Sequence, residues 1–399
     1  MSPAPQSFDV IVLGAGAAGM MCAIEAGRRG RRVLVLDHAA APGEKIRISG
    51  GGRCNFTNLE ADRPDRFLSR NPRFALSALS RYRPADFIKR VDSHSIAWHE
   101  KTLGQLFCDG SARQIIAMLT EEMAEAGVEL RLSATIDRVE RAGEGFIVAT
   151  GGTRIACDAL VLATGGKSIP KMGATGLAYD IARQFALEVT ETRPALVPLT
   201  FAVQVLERLK PLSGVAVDQA VVACGRQRFQ EDLLFTHRGL SGPSILQISS
   251  YWREGDELVL DLLPGEDVFA LLKQAKADQP RRHLQTVLGW KLPARLAQLV
   301  AEEQNAAAAN LADLPDRTLR AAAEAVNRWR IKPVGSEGYR TAEVTLGGVD
   351  TAALDQKTLA ARGVPGLFII GEAVDVTGWL GGYNFQWAWA SGWAAGQAV

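Results

Sequence analysis

A glycine-rich turn that directly follows an apolar run constrains this chain more than any other feature. Residues 8–13 (FDVIVL) read as a short buried strand, and residues 14–19 (GAGAAG) follow it. In the pattern G-x-G-x-x-G the first glycine permits a tight turn, the second lets the backbone approach a pyrophosphate, and the third lets a helix pack closely on a strand. Residues 17–28 then read as a helix of small residues, whose N-terminus offers free N–H groups to phosphates. The sequence therefore predicts a dinucleotide-binding β-turn-α unit.

The segment after this helix supports the same interpretation. Residues 33–36 (VLVL) read as a second buried strand, and Asp37 follows it, 18 residues after Gly19. This is close to the spacing at which the fingerprint places an acid that accepts hydrogen bonds from ribose hydroxyls and repels a 2′-phosphate. The basic run at 28–32 is therefore interpreted as a solvated helix end rather than a clamp for the phosphate of NADP. A glycine turn that binds no nucleotide is the alternative, and the strand–turn–helix–strand context argues against it.

Two further glycine segments follow in the N-terminal half. Residues 43–55 (GEKIRISGGGRCN) place three consecutive glycines beside Lys45, Arg47 and Arg53, which suits an anionic cofactor. A flexible surface loop is the alternative. Residues 160–166 (LVLATGG) read as a buried strand and a turn, a combination that is frequent where a chain crosses beneath a bound flavin nucleotide. Cys54 is interpreted as a small buried residue rather than as a reactive thiol.

Two more glycine segments lie near the C-terminus. Residues 366–372 (GLFIIGE) read as a strand that ends in a glycine and an acid, and such an acid can face the ribityl chain of a flavin. Residues 378–386 (GWLGGYNFQ) place two glycines before the last helix, whose N–H groups suit the negative charge that develops on a reduced flavin. Ordinary helix entry after a glycine turn is the alternative. The nearby tryptophans are interpreted as core packing rather than as a surface for substrate; they are Trp379, Trp387, Trp389 and Trp393.

One candidate for acid–base chemistry lies apart from the glycine segments. Residues 235–243 (FTHRGLSGP) contain His237, which could transfer protons, and Arg238, which could hold a carboxylate or carbonyl oxygen. The alternative is a His-Arg pair with a purely structural role.

Composition excludes several classes of protein. The 399 residues are 47% hydrophobic and 22% charged, an ordinary globular composition. The net charge of +1 creates no global field, so no nucleic-acid partner is expected. Five scattered cysteines without a Cys-x-x-Cys pair predict neither a metal site nor a redox dithiol, and they suit a cytoplasmic protein. Residues 376–399 carry no charge, but glycines and amides interrupt them, so a buried helix is preferred over a membrane span.

The secondary-structure pattern predicts an α/β fold with an insertion at roughly 192–338. Residues 196–205, 215–224 and 258–262 read as alternating strands, which indicates an antiparallel unit. Residues 268–329 read as helical, including an alanine-rich helix over 296–311. Residues 42–58 read as a loop, and 73–91 read as one helix.

The order and spacing of these motifs resemble the BaiN-like, or aminoacetone-oxidase-type, bacterial NAD(P)/FAD-dependent oxidoreductases. The combination of THRGLSGP with GWLGGYNFQWA is specific, because glycine turns alone would not reproduce it. The matching segments span the chain and are residues 14–19, 48–58, 100–109, 162–176, 234–248, 338–350 and 371–389. The resemblance implies a Rossmann-type FAD-binding domain in two parts, 1–191 and 339–399, interrupted by a β-barrel-like segment at 192–264 and a helical segment at 265–338.

The expected site follows from both lines of reasoning. The resemblance implies FAD contacts at Ala18, Asp37, Lys45, Ile136, Asp375, Asn384 and Phe385. The motifs add Gly14, Gly16, Ala17, Gly19, Arg47, Thr164, Gly165, Gly371, Glu372 and Gly382. Glu44 stands where relatives often carry a basic residue, so Lys45 is the better candidate for a contact with the pyrophosphate.

The functional expectation is an FAD-dependent oxidoreductase that passes a hydride between flavin N5 and a small organic substrate or NAD(P)H. NAD(P)H is the expected electron donor, and it would visit the flavin directly because only one good dinucleotide fingerprint is present. The substrate pocket is expected between the flavin and the insertion. The open alternatives are an oxidase that passes electrons to oxygen, a flavin-binding regulatory protein, and an NAD-dependent enzyme without flavin.

Overall fold

The computed structural model describes residues 6–399. Its strands are β1 (Gln6–Leu13), β2 (Val33–Leu36), β3 (Asn55–Asn58), β4 (Phe67–Leu68), β5 (Trp98–Glu100), β6 (Gln105–Cys108), β7 (Glu129–Arg131), β8 (Ile136–Ala142), β9 (Gly145–Thr150), β10 (Thr153–Leu162), β11 (Arg193–Ala195), β12 (Leu199–Thr200), β13 (Ala216–Val217), β14 (Val221–Cys224), β15 (Gln227–Gln230), β16 (Leu233–Thr236), β17 (Gly239–Ser241), β18 (Leu258–Asp261), β19 (Trp329–Ile331), β20 (Gly335–Ser336), β21 (Val344–Leu346), β22 (Leu367–Ile369) and β23 (Thr377–Gly378).

The α-helices are α1 (Ala17–Arg28), α2 (Glu44–Ile48), α3 (Leu76–Arg81), α4 (Pro84–Ser93), α5 (Ala112–Glu125), α6 (Leu177–Gln184), α7 (Val203–Leu209), α8 (Pro243–Ser249), α9 (Val268–Asp278), α10 (Leu284–Leu288), α11 (Ala294–Glu303), α12 (Asp316–Asn327) and α13 (Tyr383–Gly396). Short 3₁₀ turns connect several of these elements.

The described chain divides into two compact units. The first contains the residues up to Arg193 together with Val344–Val399, and the second is Pro194–Glu343. The sequence predicts the insertion at 192–338, and its finer division into a barrel-like and a helical segment stays a prediction.

A mixed sheet forms the centre of the first unit. Its parallel strands lie in the order β7-β2-β1-β10-β22, and β9 and β8 continue it in antiparallel pairing from the first half of β10. Strand β1 is central, and its residues from Val10 to Leu13 are almost fully buried. A continuous apolar run of this kind is expected of a parallel strand that is covered on both faces. The Rossmann-type α/β fold class predicted from the sequence is therefore confirmed.

Helices α1 and α13 pack closely at Gly392 and Gly396 of the last helix. A Cβ on Gly392 would lie 2.4 Å from the backbone oxygen of Ala18, so only glycine allows this approach. Trp387 and Trp389 are fully buried on α13, as core packing predicts. Among residues 6–399, no helix combines the length and the apolar character that crossing a membrane would require.

Several local predictions for the first unit were wrong. The segment 42–58 is not a loop, because it contains α2, a 3₁₀ turn at Ser49–Gly52 and strand β3. The single helix predicted over 73–91 is two helices, since Pro84 starts α4 at its N-terminal turn and excludes a continuous helix through Arg83.

The second unit combines two antiparallel sheets with a group of helices. One sheet has the order β13-β16-β17-β12-β20, and the other has the order β15-β14-β18-β19. The strand predicted over 196–205 is wrong, because pairing is limited to Leu199–Thr200 and α7 starts at Val203. The predicted helix over 296–311 ends at Glu303, where Asn305 adopts a left-handed backbone with φ 54°. The strand predicted over 215–224 is interrupted between Val217 and Val221.

Candidate cofactor site

Four neighbouring parallel strands end at the same edge of the central sheet. Leu13 of β1 pairs with Leu36 of β2 and with Leu162 of β10, and Leu162 in turn pairs with Ile369 of β22. Each strand is followed by one of the predicted site segments. The register therefore brings the fingerprint turn, Asp37, Thr164 and the Gly371 turn together, at the carboxyl edge where open α/β sheets bind ligands.

The fingerprint glycines are required by close backbone approaches. Gly14 has φ +109°, and a Cβ on it would lie 2.5 Å from the backbone oxygen of Ala163, the residue that follows the neighbouring strand β10. A Cβ on Gly19 would lie 1.9 Å from the backbone oxygen of Gly14. By contrast, a Cβ on Gly16 would meet no atom within 4 Å. The turn is thus packed tightly behind Gly14 and Gly19 and is open in front of Gly16.

The N-terminus of α1 faces this open space without a capping side chain. Gly16 is the N-cap residue, no side chain in the described part of the chain caps it, and the first turn has no acidic residue. The first N–H groups of a helix have no partner within the helix, and they carry the positive end of the helix dipole. The open space in front of Gly16 therefore suits a pyrophosphate.

Asp37 is held beside this turn by backbone hydrogen bonds. The N–H of Ala15 donates to its Oδ2 at 2.6 Å, and the N–H of Ala39 donates to its Oδ1 at 2.8 Å. Each carboxylate oxygen has two lone pairs, so both oxygens can still accept a hydrogen bond from a ribose hydroxyl. The N–H of Ala134 donates to the backbone oxygen of Asp37. This hydrogen bond holds the segment that leads into β8 next to Asp37, and Ile136 is the first residue of β8.

Asp37→Ala is expected to weaken FAD binding about ten- to hundredfold, since hydrogen bonds to charged groups contribute about 1.5–3 kcal/mol. The dissociation constant of FAD for the apoprotein, measured by titration of flavin fluorescence, checks this. Glu129→Ala, which removes an exposed carboxylate from the adjacent strand β7, is the control. Equal affinities of the two variants for FAD would contradict the assignment of Asp37 to the ribose.

Lys45 and Glu372, both predicted FAD contacts, form an ion pair with each other. Lys45 Nζ lies 2.7 Å from Glu372 Oε2 and donates to Ser168 Oγ at 2.6 Å. Ser168 Oγ and the N–H of Thr345 donate to Glu372 Oε1 at 3.0 and 2.8 Å. Burial raises the pKa of Glu372, but the charge of Lys45 and these hydrogen bonds outweigh burial, so the net pKa of Glu372 is lowered.

The turns after β10 and β22 lie beside this ion pair. Gly165 has φ +71°, and a Cβ on it would lie 3.7 Å from Glu372 Oε2. Thr164 Oγ1 accepts from the N–H of Ala178 in α6 at 3.2 Å. Gly371 has φ +64°, and its backbone oxygen accepts from Trp387 Nε1 at 2.9 Å. Helix α13 is therefore tied directly to the strand end.

The glycine pair Gly381 and Gly382 of the C-terminal motif contacts β3. A Cβ on Gly382, the N-cap of α13, would lie 2.4 Å from the backbone oxygen of Thr57. Asn58 Nδ2 donates to the backbone oxygen of Gly381 at 2.9 Å. The segments 43–58 and 378–386 are thus neighbours, although more than 300 residues separate them.

Asn384 and Phe385 are positioned by their own segment. Asn384 accepts from the N–H of Gly378 at 2.8 Å and donates to its backbone oxygen at 2.9 Å, which closes the turn before α13. Phe385 stacks on Trp389, with ring centroids 5.7 Å apart. Their predicted contacts with FAD stay predictions.

Asp375 is buried and accepts from the backbone N–H of Arg70 at 2.9 Å. Burial raises its pKa, the hydrogen bond from Arg70 opposes this, and the charge of Asp350 adds to the rise. Arg47 lies at the surface and pairs with Glu44 at 2.6 Å, so part of its charge is already balanced. Cys54 is fully buried, and burial raises the pKa of its thiol, in agreement with a packing role.

His237 and Arg238 lie in the second unit, in the hairpin turn between β16 and β17. Thr236 closes this turn, because its Oγ1 accepts from the N–H groups of Arg238 and Gly239. Arg238 is half exposed, and its Nη1 lies 3.9 Å from Glu337 Oε2. The turn therefore presents both side chains outward, and their catalytic role stays a prediction.

Sequence reasoning missed two residues of the site. Ser168 and Thr345 hydrogen-bond to Glu372, and neither was a candidate. Ser168 follows the ATGG turn by two positions, which was an available signal. Thr345 lies 27 positions before Glu372, and no local sequence pattern connects the two residues.

The arrangement fits a flavin adenine dinucleotide. The open cradle at Gly16, the uncapped helix N-terminus and the carboxylate of Asp37 match a pyrophosphate and the adjoining ribose. The class of protein defined by this fold and site is a flavoprotein with a Rossmann-type FAD-binding domain.

The comparisons with known proteins place the chain more closely. It belongs to the HI0933-like family, since the model of the HI0933-like protein Rossmann domain matches residues 8–398. It is 50% identical over 392 residues to the "Ribosomal RNA dihydrouridine synthase" of Escherichia coli (strain K12), covering 98% of each chain. It is 29% identical to the "3-dehydro-bile acid delta(4,6)-reductase" of Clostridium scindens, covering 97% of this chain and 98% of that one.

A solved structure shows the same fold at low identity. The 3-ketosteroid delta1-dehydrogenase from Sterolibacterium denitrificans superimposes with a TM-score of 0.52 at 16% identity, covering 98% of this chain and 99% of that one. The match to the family model confirms the expected flavoprotein oxidoreductase family and the FAD cofactor at the level of the HI0933-like family. The finer assignment to the bile-acid or aminoacetone type is not confirmed.

Proposed function

We propose that this protein reduces a carbon–carbon double bond that is conjugated to a carbonyl group, and that its substrate is uracil in ribosomal RNA. The observation that carries the proposal is the 50% identity, over 98% of both chains, with a ribosomal RNA dihydrouridine synthase. The more distant relative is called a 3-dehydro-bile acid delta(4,6)-reductase, and this name describes a substrate in which double bonds at positions 4 and 6 are conjugated to a ketone at position 3. An electron-poor alkene next to a carbonyl is thus the chemistry that both names share.

The reaction balances with the expected cofactor and reductant. Reduction of uracil at C5=C6 adds a hydride at C6 and a proton at C5, and NAD(P)H as donor would restore the two electrons. FAD, when bound, supplies the hydride at N5. The protein's own part is to bind and orient both molecules, to exclude water, and to hold the proton and the carbonyl oxygen in place.

This proposal sets aside the expectation of no nucleic-acid partner. That expectation rested on the net charge of +1 alone. Net charge averages over the whole surface, whereas an enzyme that acts on one nucleotide needs only a local positive or aromatic area.

The test uses the purified holoprotein under anaerobic conditions. The flavin is reduced with NADH or NADPH, and ribosomal RNA that lacks dihydrouridine is added. The expected results are recovery of the oxidised flavin absorbance and formation of dihydrouridine, measured by mass spectrometry of RNA digests. The same RNA with uridine replaced by cytidine at the modified position is the control. Unchanged RNA after full oxidation of the flavin would overturn the proposal.

A second candidate is reduction of a small enone, favoured by the 29% identity with the Clostridium reductase. Replacing RNA by a steroid 4-en-3-one in the same assay distinguishes the two. Rapid reoxidation of the reduced flavin by oxygen, with no alkene reduced, would instead support an oxidase. A flavin that neither NADH nor NADPH bleaches would support a regulatory protein.

His237 and Arg238 are proposed to act on the substrate, with His237 moving the proton and Arg238 holding a carbonyl oxygen. His237→Ala and Arg238→Ala are each expected to slow dihydrouridine formation about 10²-fold, the scale of general acid catalysis. Single-turnover rates with pre-reduced enzyme measure this step directly. Arg228→Ala, which removes an exposed arginine from strand β15, is the control. Unchanged rates in both variants would exclude this role.

A further inference from the structure

A small three-stranded sheet in the first unit has one partly exposed face, which is buried at Asn58 of β3 and exposed at His99 of β5. Its order is β3-β6-β5, and successive side chains of a strand point to opposite faces. Leu106 and Cys108 of β6 are fully buried, so they face the core. Gln105 and Phe107 alternate with them and are only partly buried. We call the outward side of this sheet the β6 face.

Phe107 forms an aromatic platform at the centre of the β6 face. Its ring is stacked with that of His99, with centroids 6.1 Å apart and planes inclined by 15°. His99 lies opposite Phe107 in the β5–β6 register and is 43% exposed. Lys101 Nζ lies 5.5 Å from the centroid of the Phe107 ring. The Phe107 ring is therefore flanked by an imidazole and an ammonium group.

The β6 face is continuous with the glycine turn at the end of the proposed flavin site. A Cβ on Gly381 would lie 2.9 Å from the side-chain amide carbon of Gln105. A Cβ on Gly382 would lie 2.9 Å from one polar atom of the Asn55 side-chain amide, and the other polar atom of that amide lies 3.0 Å from Oε1 of Gln105. Gln105 and Phe107 are two positions apart on one strand and share one face. A ligand that reaches the glycine turn therefore has Phe107 as a neighbour.

The charges around the β6 face suit a polyanion. Arg53 and Lys101 are exposed, and neither forms an ion pair with any residue in 6–399. His99 is paired with Asp109 through Nδ1 at 2.6 Å, which fixes its ring, and its side chain remains 43% exposed. Leu103, which is 64% exposed, and Leu59, which is 47% exposed, extend the area with apolar surface.

We propose that the β6 face binds single-stranded RNA next to the reduced uracil, with a neighbouring base on the His99–Phe107 platform. Lys101 and Arg53 would meet the adjacent phosphates. Stacking on aromatic rings and contacts with cations are the two elements by which proteins hold single strands without reading their sequence. This inference rests on the proposed function, and it adds where the RNA lies.

The test compares variants of the holoprotein in two separate measurements. Binding of a fluorescent single-stranded oligoribonucleotide is followed by anisotropy, and flavin bleaching by NAD(P)H is followed by stopped flow. His99→Ala is expected to weaken RNA binding about tenfold. Lys101→Ala is expected to weaken it severalfold and to lower the slope of log affinity against log salt by about 0.7. Lys89→Ala, at an exposed position of α4, is the matched control and is expected to change neither.

The ring of Phe107 packs against Gly50, so removing the whole side chain would disturb that turn. Phe107→Leu, which keeps a large apolar side chain, is therefore used in place of Phe107→Ala. Bleaching rates and FAD content equal to wild type show that the flavin site is intact in every variant. RNA affinity that is equal in His99→Ala, Lys101→Ala and Lys89→Ala would overturn the inference, whatever the wild type does to uridine. Wild type that binds RNA through these residues but forms no dihydrouridine would overturn the proposed function and support the binding face.

Discussion

Gly16→Ala is expected to fold as the wild type does and to lose FAD affinity by more than tenfold. The backbone of Gly16 has φ −86°, which alanine adopts readily, and the added Cβ would meet no protein atom within 4 Å. The same Cβ would occupy the space through which the pyrophosphate approaches the backbone. Thermal unfolding of the apoprotein and titration with FAD measure the two effects separately.

Gly19→Ala is the matched variant with the opposite expectation. Its Cβ would lie 1.9 Å from the backbone oxygen of Gly14, and no side-chain rotation can relieve a clash with backbone. Overpacking of this kind costs about 1–3 kcal/mol or more, so the apoprotein itself is expected to unfold at lower temperature. Wild-type FAD affinity in Gly16→Ala, or wild-type stability in Gly19→Ala, would contradict the geometry assigned to the turn.

Lys45→Met is expected to destabilise the protein by about 2 kcal/mol at neutral pH, because it leaves the carboxylate of Glu372 without its charge partner. Breaking a fully buried pair costs roughly 3–5 kcal/mol. The lysine side chain is 33% exposed here, so water already screens part of the attraction and a smaller value is expected. Urea unfolding of the apoprotein measures this change in the free energy of unfolding.

The pH dependence of this effect has a definite sign. The pKa of Glu372 is lowered in the folded protein, so the ion pair adds stability above pH 4.5, the ordinary value for the carboxyl. That contribution is lost as the pH falls through the lower folded pKa. Lys45→Met removes the charge that does most to lower the pKa of Glu372, and the destabilisation should therefore shrink as the carboxyl protonates at acidic pH.

The double variant Lys45→Met with Glu372→Gln is the control for this prediction. It removes both charges and keeps similar side-chain volumes, so part of the lost stability at pH 7 is expected to return. A double variant that is less stable than Lys45→Met at pH 7 would show that the two side chains do not form a coupled pair.

Local patterns predicted the central sheet well because its strands are short, apolar and followed by glycine. Strands β1 and β2 and helix α1 lie within one residue or two of their predicted bounds, since the period of the apolar residues is a local property. Predictions failed where long-range packing overrides local preference. Residues 42–58 fold into a helix and a strand because β3 pairs with β6, which lies some 50 residues further along the chain.

The sequence by itself determined the class of site. Glycines at 14, 16 and 19, together with Asp37, specify a dinucleotide turn, because their roles are steric and electrostatic within one βαβ unit. Only the tertiary structure decided which side chains meet. The partner of Lys45 is Glu372, the hydrogen-bond donors to Glu372 include Ser168 and Thr345, and Gly381 abuts Gln105. The pairs Lys45–Glu372, Ser168–Glu372 and Gly381–Gln105 each join residues that are more than 200 positions apart, and Thr345 lies 27 positions before Glu372. They depend on the register of β10 with β22 and on the close packing of α13, which no local pattern encodes.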